Sequence, residues 1–161
     1  MIYQPKSWTE KLNDNKDLPK VVKLQKNAQM HWRGKTMAIP SPMEVNNIMA
    51  KVPLGKLITI DLIRREVAKR HGADIGCPLT SGIFSWTSAY AAEEENAEGK
   101  NPPAGGITPW WRTLKSDGSL NPKYPGGLSV QKKVLESEGH KVIQKGKKYF
   151  VLDFEKKLAK L

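Results

Sequence analysis

Proline and glycine residues divide the central part of this chain into short helical segments. Ser41-Pro42-Met43-Glu44 supplies an N-cap, a proline at the first helical position and a glutamate three residues after the cap, which together predict a helix start. Pro53 ends this first helix, because the residue before a proline is pushed out of the helical conformation. Its apolar side chains recur at helical spacing; they are Val45, Ile48, Met49 and Val52. We therefore expect short elements around one core, not a coiled coil.

A second helix is predicted from the residues that follow. Thr59 can cap it, and Gly72 ends it. The predicted buried stripe consists of Ile60, Ile63 and Val67. The opposite side is typical of a solvated helix face, and its basic residues are Arg64, Arg65, Lys69 and Arg70.

A third helix is predicted to start at a cap formed by Thr80 or Ser81 and to continue to about Asn96. Its expected inward side chains are Ile83, Phe84, Thr87, Tyr90 and Ala91. Glu93-Glu94-Glu95 is typical of a solvated helix end. The glycine and proline content of residues 98–106 predicts a loop.

The C-terminal third predicts one more helix and a hairpin. The helix runs from Leu128 to Glu138 and ends at Gly139. Two apolar runs then flank Lys145-Gly146-Lys147-Lys148, which indicates a β-hairpin with a basic tip. The predicted fold class is therefore α+β, mainly α with a small β component. Its order of elements favours a winged helix-turn-helix, in which one helix enters the major groove of DNA and a hairpin can touch the backbone.

The net charge of +11 is the strongest compositional signal. The chain has 27 lysine and arginine residues against 16 acidic residues, and its isoelectric point is near 9.7. A polyanion is the natural partner of such a protein, and nucleic acid is the first candidate. The alternative is a soluble basic protein with no such partner.

Several classes of protein are excluded by what the sequence lacks. No apolar run reaches the length of about 18 residues that a membrane-spanning helix requires. The first residues lack the apolar segment of a signal peptide, and the single cysteine, Cys77, excludes internal disulfides. The three histidines, His31, His71 and His140, show no metal-ligand spacing with Cys77. We expect a cytoplasmic protein without metal or cofactor and without membrane contact.

The first part of the chain is polar and rich in lysine. Residues 1–38 are expected to form a basic N-terminal arm, largely extended, with one or two helical turns. Ser7-Trp8-Thr9-Glu10 can form a capping box for one such turn. Residues 39–161 are then the main domain.

Short motifs between Val52 and His140 occur in a recognisable order. They are Val52-Pro53-Leu54-Gly55-Lys56, Ile107-Thr108-Pro109-Trp110-Trp111-Arg112, Ser116-Asp117-Gly118, Tyr124-Pro125-Gly126-Gly127-Leu128 and Leu135-Glu136-Ser137-Glu138-Gly139-His140. In this order they resemble the DNA-binding domain of the O6-alkylguanine-DNA alkyltransferase family. The family's separate N-terminal domain has no counterpart, because residues 1–38 are too short for it.

The resemblance places Trp110 at the position of the family's active-site cysteine. That thiolate takes an alkyl group from O6 of guanine, whereas an indole has no comparable nucleophile. The chain therefore resembles the alkyltransferase-like branch, which carries tryptophan here, binds alkylated guanine without repairing it and marks it for excision repair. Trp111 also replaces the family's histidine. The family's intercalating arginine, near Ser81 or Gly82, and its tyrosine, near Ile60, are missing.

The resemblance implies non-catalytic binding of double-stranded DNA by a monomer, with excision-repair proteins as further partners. The predicted lesion pocket consists of Trp110, Trp111, Arg112, Tyr124, Gly126 and Gly127. The predicted DNA-binding residues are Lys56, Thr59, Thr80, Ser81, Gly82, Lys145, Lys147 and Lys148.

Three alternatives stay open. The two tryptophans can fill the core instead of a pocket. The protein can be a general DNA- or RNA-binding regulator without lesion recognition. It can also be an enzyme that accepts the alkyl group on Cys77.

Overall fold

The computed structural model describes residues 4–97 and 107–161, and within them the chain has the expected α+β fold. The helices are α1 (Trp8–Asn13), α2 (Lys26–Trp32), α3 (Pro42–Ala50), α4 (Ile60–His71), α5 (Pro78–Ala97) and α6 (Gly127–Ser137). The strands are β1 (Lys20–Lys23), β2 (Thr36–Ile39), β3 (Ile58–Thr59), β4 (Ile75–Gly76), β5 (Thr113–Leu114), β6 (Val142–Lys145) and β7 (Lys148–Val151). The loop predicted at residues 98–106 lies outside the described residues.

The expectation of a largely extended N-terminal arm is wrong for the described residues. The capping box at Ser7 is present, but two strands and a second helix follow it. Strand β2 pairs antiparallel with β1 and parallel with β4, so the segment joins a three-stranded sheet. Pairing satisfies the backbone groups that an extended arm would leave to water. The predicted boundary between residues 38 and 39 lies inside β2, which spans Thr36–Ile39. The division into two domains therefore stays a prediction.

Helix α1 packs on the end of α5, where the sequence predicted a merely solvated face. The Glu94 carboxylate accepts the backbone N–H of Trp8 at 3.0 Å and the hydroxyl of Thr9 at 3.0 Å. The ring of Trp8 stacks on Tyr90 with 4.7 Å between centroids. The acidic run therefore holds the N-terminal segment against the main body.

The predicted caps of α3 and α4 are confirmed. Ser41 accepts the N–H of Glu44, and Thr59 accepts the N–H of Leu62, each at 3.2 Å. Gly72 takes the left-handed conformation that ends α4, with φ of 63°. The predicted inward residues of α3 are all buried: Val45, Ile48, Met49 and Val52.

Helices α4 and α5 form a helix-turn-helix arrangement, but α5 starts earlier than predicted. It begins at Pro78, and the Cys77 carbonyl accepts the first helical bond from Ser81 at 3.2 Å. Thr80 and Ser81 therefore lie inside the first turn and cap nothing. A proline at the first helical position fits, because its missing N–H would have no partner there.

The buried face of α5 also differs from the prediction. It carries small side chains, which are Ser81, Ser85, Thr87, Ser88, Ala89, Ala91 and Ala92. The predicted inward residues Ile83, Phe84 and Tyr90 are only half-buried. Small side chains let α1, α3 and the Trp110 segment approach the helix closely, so apolar size alone did not identify the inward side.

Two hydrophobic clusters form the core. The first surrounds Trp110 and Tyr124 and includes the buried residues of α3 and α4. The second contains Leu57, Leu114, Leu120, Leu135 and Val151, and it lies under the predicted hairpin of β6 and β7. Trp111, half-buried, contacts both clusters and joins them.

Gly76 offers a sharp test of this packing. A Cβ built there would lie 2.2 Å from the Arg64 carbonyl oxygen, whereas one at Gly82 would meet nothing within 4 Å. Gly76→Ala should lower the free energy of unfolding by about 2 kcal/mol, because backbone must move. Gly82→Ala, the control, should raise it by about 1 kcal/mol, because alanine favours helix. Urea unfolding measures both; equal effects would contradict the close contact between β4 and α4.

Candidate nucleic-acid interface

A groove runs along the start of α5. Its volume is about 280 Å³, and its lining residues are Pro78, Leu79, Gly82, Ile83, Trp86, Lys115, Asn121, Pro122 and Lys123. Leu79, in the first turn, is 68% exposed. The space beside Gly82 is open. The beginning of α5, the second helix of the helix-turn-helix, is therefore accessible. Two exposed lysines, Lys115 and Lys123, lie on the loop across the groove from it.

The predicted hairpin of β6 and β7 is confirmed, and it lies against the same loop. The N–H of Leu120 donates to the Tyr149 carbonyl at 2.9 Å, and Ser119 forms a bridge with Phe150. Lys148 Nζ lies 3.3 Å from Asp117 Oδ2. The hairpin that carries the basic tip therefore packs on the loop that carries the groove lysines. We call the lysines of this loop and of the tip together the basic rim, and they are Lys115, Lys123, Lys145, Lys147 and Lys148.

Asp117 is the acidic group beside the rim. Its partial burial opposes ionisation, but hydrogen bonds from Ser119 and Lys148 outweigh that effect and hold the pKa of the carboxyl below its usual value. It also accepts the Ser119 N–H at 3.0 Å, which fixes the turn predicted at Ser116-Asp117-Gly118. The aspartate therefore offsets one lysine and leaves the rim strongly positive.

The other predicted DNA-binding residues are placed differently. Gly82 lines the groove, but Ser81 is fully buried and cannot reach a ligand outside. The Thr59 hydroxyl is occupied as a helix cap and is 4% exposed. Thr80 is half-buried in the first turn of α5. Lys56 is exposed in the turn before β3 and does not line the groove.

The basic face of α4 is largely neutralised by its own helix. Arg65 pairs with Asp61 at 3.0 Å, and Arg70 pairs with Glu66 at 2.9 Å. The Nε of Arg64 donates to the Gly76 carbonyl at 3.0 Å, which ties α4 to the strand before α5. Arg65 and Arg70 therefore form local pairs on a solvated face, whereas Arg64 is partly buried and contacts the next strand.

The aromatic residues of the predicted lesion pocket form a closed wall. Trp110 and Tyr124 are each 1% exposed, with 5.4 Å between ring centroids. Trp110 Nε1 donates to Glu93 Oε1 at 3.0 Å. In this conformation neither ring offers a face to a base. Gly126 and Gly127 lie next to this wall in the turn into α6, each with positive φ.

Arg112 is tied to two other segments by hydrogen bonds. Its Nε and Nη2 donate to the two Glu138 carboxylate oxygens at 2.9 and 2.8 Å, and Nη1 donates to the Val52 carbonyl at 2.7 Å. Burial opposes ionisation of Glu138, but the Arg112 hydrogen bonds and charge prevail and lower its pKa. Arg112 therefore joins its turn to Glu138 at the end of α6 and to Val52, just after α3.

A row of buried hydroxyl groups lies behind the aromatic wall. The Tyr124 hydroxyl is 3.4 Å from Ser85 Oγ, and burial raises the pKa of the Tyr124 phenol. Ser81 and Ser88 lie about one turn away on either side of Ser85. Among the described residues, the hydroxyls of Thr80, Ser81 and Ser88 have no hydrogen-bond partner, whereas the Thr113 hydroxyl interacts with that of Tyr124. A buried hydroxyl without a partner costs about 1–3 kcal/mol, so this interior can accept polar atoms.

Of the residues that line the groove, the sequence identified only Gly82 as a DNA-binding residue. Lys115 and Lys123 flank the predicted Ser116-Asp117-Gly118 turn, and Leu79 follows the proline that starts α5. A signal was available: two lysines close to a turn beside the presumed recognition helix. Cys77, the alternative alkyl acceptor, is 8% exposed, and its N–H donates to the Ala38 carbonyl at 2.9 Å.

Two structural features are absent from the described part of the chain. No group of three or more histidine, cysteine, aspartate or glutamate side chains in residues 4–97 and 107–161 could hold a metal ion. In the same ranges, no helix combines the length and the apolar character needed to cross a membrane.

Comparisons with known proteins give distant likenesses only. No protein-family model matches the chain, and no curated protein matches its sequence. A structure of S. pombe Atl1 in complex with damaged DNA containing O6-carboxymethylguanine is 23% identical, with a TM-score of 0.47. A structure of S. pombe ATL in complex with DNA is 22% identical, with a TM-score of 0.46. Each match covers 74% of this chain and 94% of the other.

The ion pair of Arg112 and Glu138 should be strongly coupled. Arg112→Met should lower the free energy of unfolding by about 3 kcal/mol, because it leaves a buried carboxylate without its cation. Adding Glu138→Gln should restore much of that loss. Because the pKa of Glu138 is lowered on folding, the pair's contribution is complete above the ordinary value of 4.5 and is lost as pH falls through the folded value.

A double-mutant cycle in urea at neutral pH and at low pH measures this coupling. Additive effects of the two substitutions at neutral pH would contradict a functional ion pair.

Proposed function

We propose that this protein binds double-stranded DNA without catalysis, with the start of α5 in a groove of the duplex. The observation that carries the proposal is the accessible first turn of α5 beside the basic rim. A helix-turn-helix presents the beginning of its second helix to the bases, and a neighbouring hairpin, acting as a wing, contacts the backbone. The net charge of +11 suits a polyanionic partner.

The side chains at the start of α5 favour binding that depends little on base sequence. Leu79 and Gly82 are apolar and offer no hydrogen bond to a base edge. Gly82 has no side chain, which permits close approach of the helix to the duplex. The lysines of the rim neutralise phosphates and release counterions. We therefore expect affinity that falls steeply as salt rises.

Direct alkyl transfer is not part of the proposal. Trp110 has no nucleophilic atom comparable to a thiolate, and its indole N–H is held by Glu93. Cys77 is buried at the junction of β4 and α5, where a DNA base cannot approach its thiol.

Neutralising the groove lysines tests DNA binding. Lys115→Gln combined with Lys123→Gln should weaken binding to an unmodified duplex about tenfold and reduce the salt slope by about 2, because two phosphate contacts are lost. Lys156→Gln with Lys160→Gln removes the same charge from exposed positions outside the rim and serves as the control. Fluorescence anisotropy at several salt concentrations measures both. Equal losses in the two variants would mean that only net charge matters.

Recognition of an alkylated guanine is a second candidate, favoured by the unpartnered hydroxyls behind Trp110 and Tyr124. If the Trp110 indole moved away from Glu93, the space it leaves would be lined by aromatic faces and by hydroxyl groups. A flipped base needs such a lining, since it is read by stacking and by hydrogen bonds to its edge. The bound protein would then mark the lesion for excision-repair proteins.

The lesion hypothesis predicts tighter binding to a duplex with one O6-methylguanine than to the same duplex unmodified. Trp110→Phe should reduce this preference more than it reduces general affinity, because phenylalanine retains a ring but loses indole area and the Glu93 bond. Anisotropy on the two duplexes measures the preference, and circular dichroism checks folding. Equal affinity of the wild type for both duplexes would leave general DNA binding alone.

A further inference from the structure

Helix α2 and the end of β1 carry a second basic surface, outside the segment that resembles the alkyltransferases. We call it the basic flank, and it consists of Lys23, Lys26 and Arg33, all exposed. Lys26 and Arg33 lie at the two ends of α2. Hydrogen bonding of the Leu24 N–H to the Lys35 carbonyl at 2.8 Å holds the end of β1 beside the residues that follow Arg33.

The basic flank is firmly attached next to the start of α5. The Trp32 ring, at the end of α2, lies 5.6 Å from the Arg64 guanidinium, whose Nε binds the Gly76 carbonyl. Gly76 is two residues before Pro78, the first residue of α5. The pairing of β2 with β4 adds a second connection. The flank therefore reaches α5 through α4 and β4, whereas the groove lysines reach it through the loop at residues 115–123.

The charges of the flank are available to a ligand. Within the described ranges, Lys23, Lys26 and Arg33 form no salt bridge, in contrast to the paired arginines of α4. Asp74 lines the same surface depression as Arg33, and its carboxylate is occupied by the backbone N–H groups of Lys35 and Thr36 at 2.8 and 3.2 Å. These N–H bonds lower the pKa of Asp74.

The surroundings favour a polyanion over a protein partner. Strand β1 is an edge strand, but lysines at both of its ends discourage the addition of another strand. Met30 is 81% exposed on α2, and a single exposed side chain is too small for an apolar docking patch. Three exposed lysine and arginine side chains suit the phosphate backbone of a duplex better than they suit an apolar partner surface.

We propose that the basic flank binds the phosphate backbone beyond the segment engaged by α5 and so lengthens the DNA site on one side. This inference rests on the proposed function, because it assumes that α5 faces the duplex. The proposed contact is made by α2 and β1, which lie outside the motifs at residues 52–140.

Duplex length tests the proposal. Wild-type affinity should rise about tenfold when a duplex of about 12 base pairs is extended to about 24, because phosphates come within reach of the flank. The variant Lys23→Gln/Lys26→Gln/Arg33→Gln should bind the short duplex as the wild type does and lose the gain on the long one. The control Lys141→Gln/Lys156→Gln/Lys160→Gln removes the same charge from exposed C-terminal positions and should retain the gain.

The outcomes separate this proposal from the one on which it depends. If the flank variant and the wild type gain equally from the longer duplex, the flank is not a DNA contact, although α5 still is. If the flank and control variants lose the gain equally, only net charge matters, and the proposal that the flank contacts DNA is overturned. If the wild type binds neither duplex at low salt, DNA binding itself is wrong and the flank proposal fails with it.

Discussion

The bidentate pair of Arg112 and Glu138 connects the parts of the fold that surround the interface. Through the Val52 carbonyl, the same guanidinium also fixes the end of α3. Three segments distant in sequence are thus held to one planar, permanently charged group with donors at fixed angles. The guanidinium therefore holds the turn that carries Trp110, which is buried, and Trp111, which is half-buried. A lysine could not reproduce that geometry, since its single ammonium lacks the fork.

The N-terminal sheet supports the interface at the start of α5. Strand β4 is only two residues long, yet it receives β2, approaches α4 closely at Gly76 and leads directly into Pro78. Any shift in this strand would move the first turn of α5, where the groove begins. The position of the first turn of α5 therefore depends on residues 36–39 as well as on α4 and the turn that follows it.

Local signals in the sequence predicted the helix ends well. The caps at Ser41 and Thr59 and the stop at Gly72 depend on residues within one turn, so a short window contains the necessary information. The pairing of β1 with β2 and then with β4 could not be read in the same way, because its partners lie up to several tens of residues apart. A lysine-rich segment also hides strands, since its exposed side chains give no apolar alternation.

The inward face of α5 was predicted only in part, at Thr87 and Ala91, and for a different reason. The helix also turns its serines inward as small spacers, and the Ser85 hydroxyl lies 3.4 Å from that of Tyr124. The site was predicted in part. The hairpin tip and Gly82 lie at the groove or its rim, but Lys115 and Lys123 become neighbours of α5 only through the tertiary fold.

The burial of Trp110 and Tyr124 has a kinetic consequence for any base that binds between them. A base can stack on Trp110 or Tyr124 only in molecules whose wall is already open or opens on contact, because both rings are buried. The observed affinity for such a base is the intrinsic affinity multiplied by the fraction of protein molecules in which the two rings are accessible. A protein of this kind would move rapidly along intact DNA and bind an extruded base slowly. The rate of that second step would be set by how fast the Trp110 indole leaves the core.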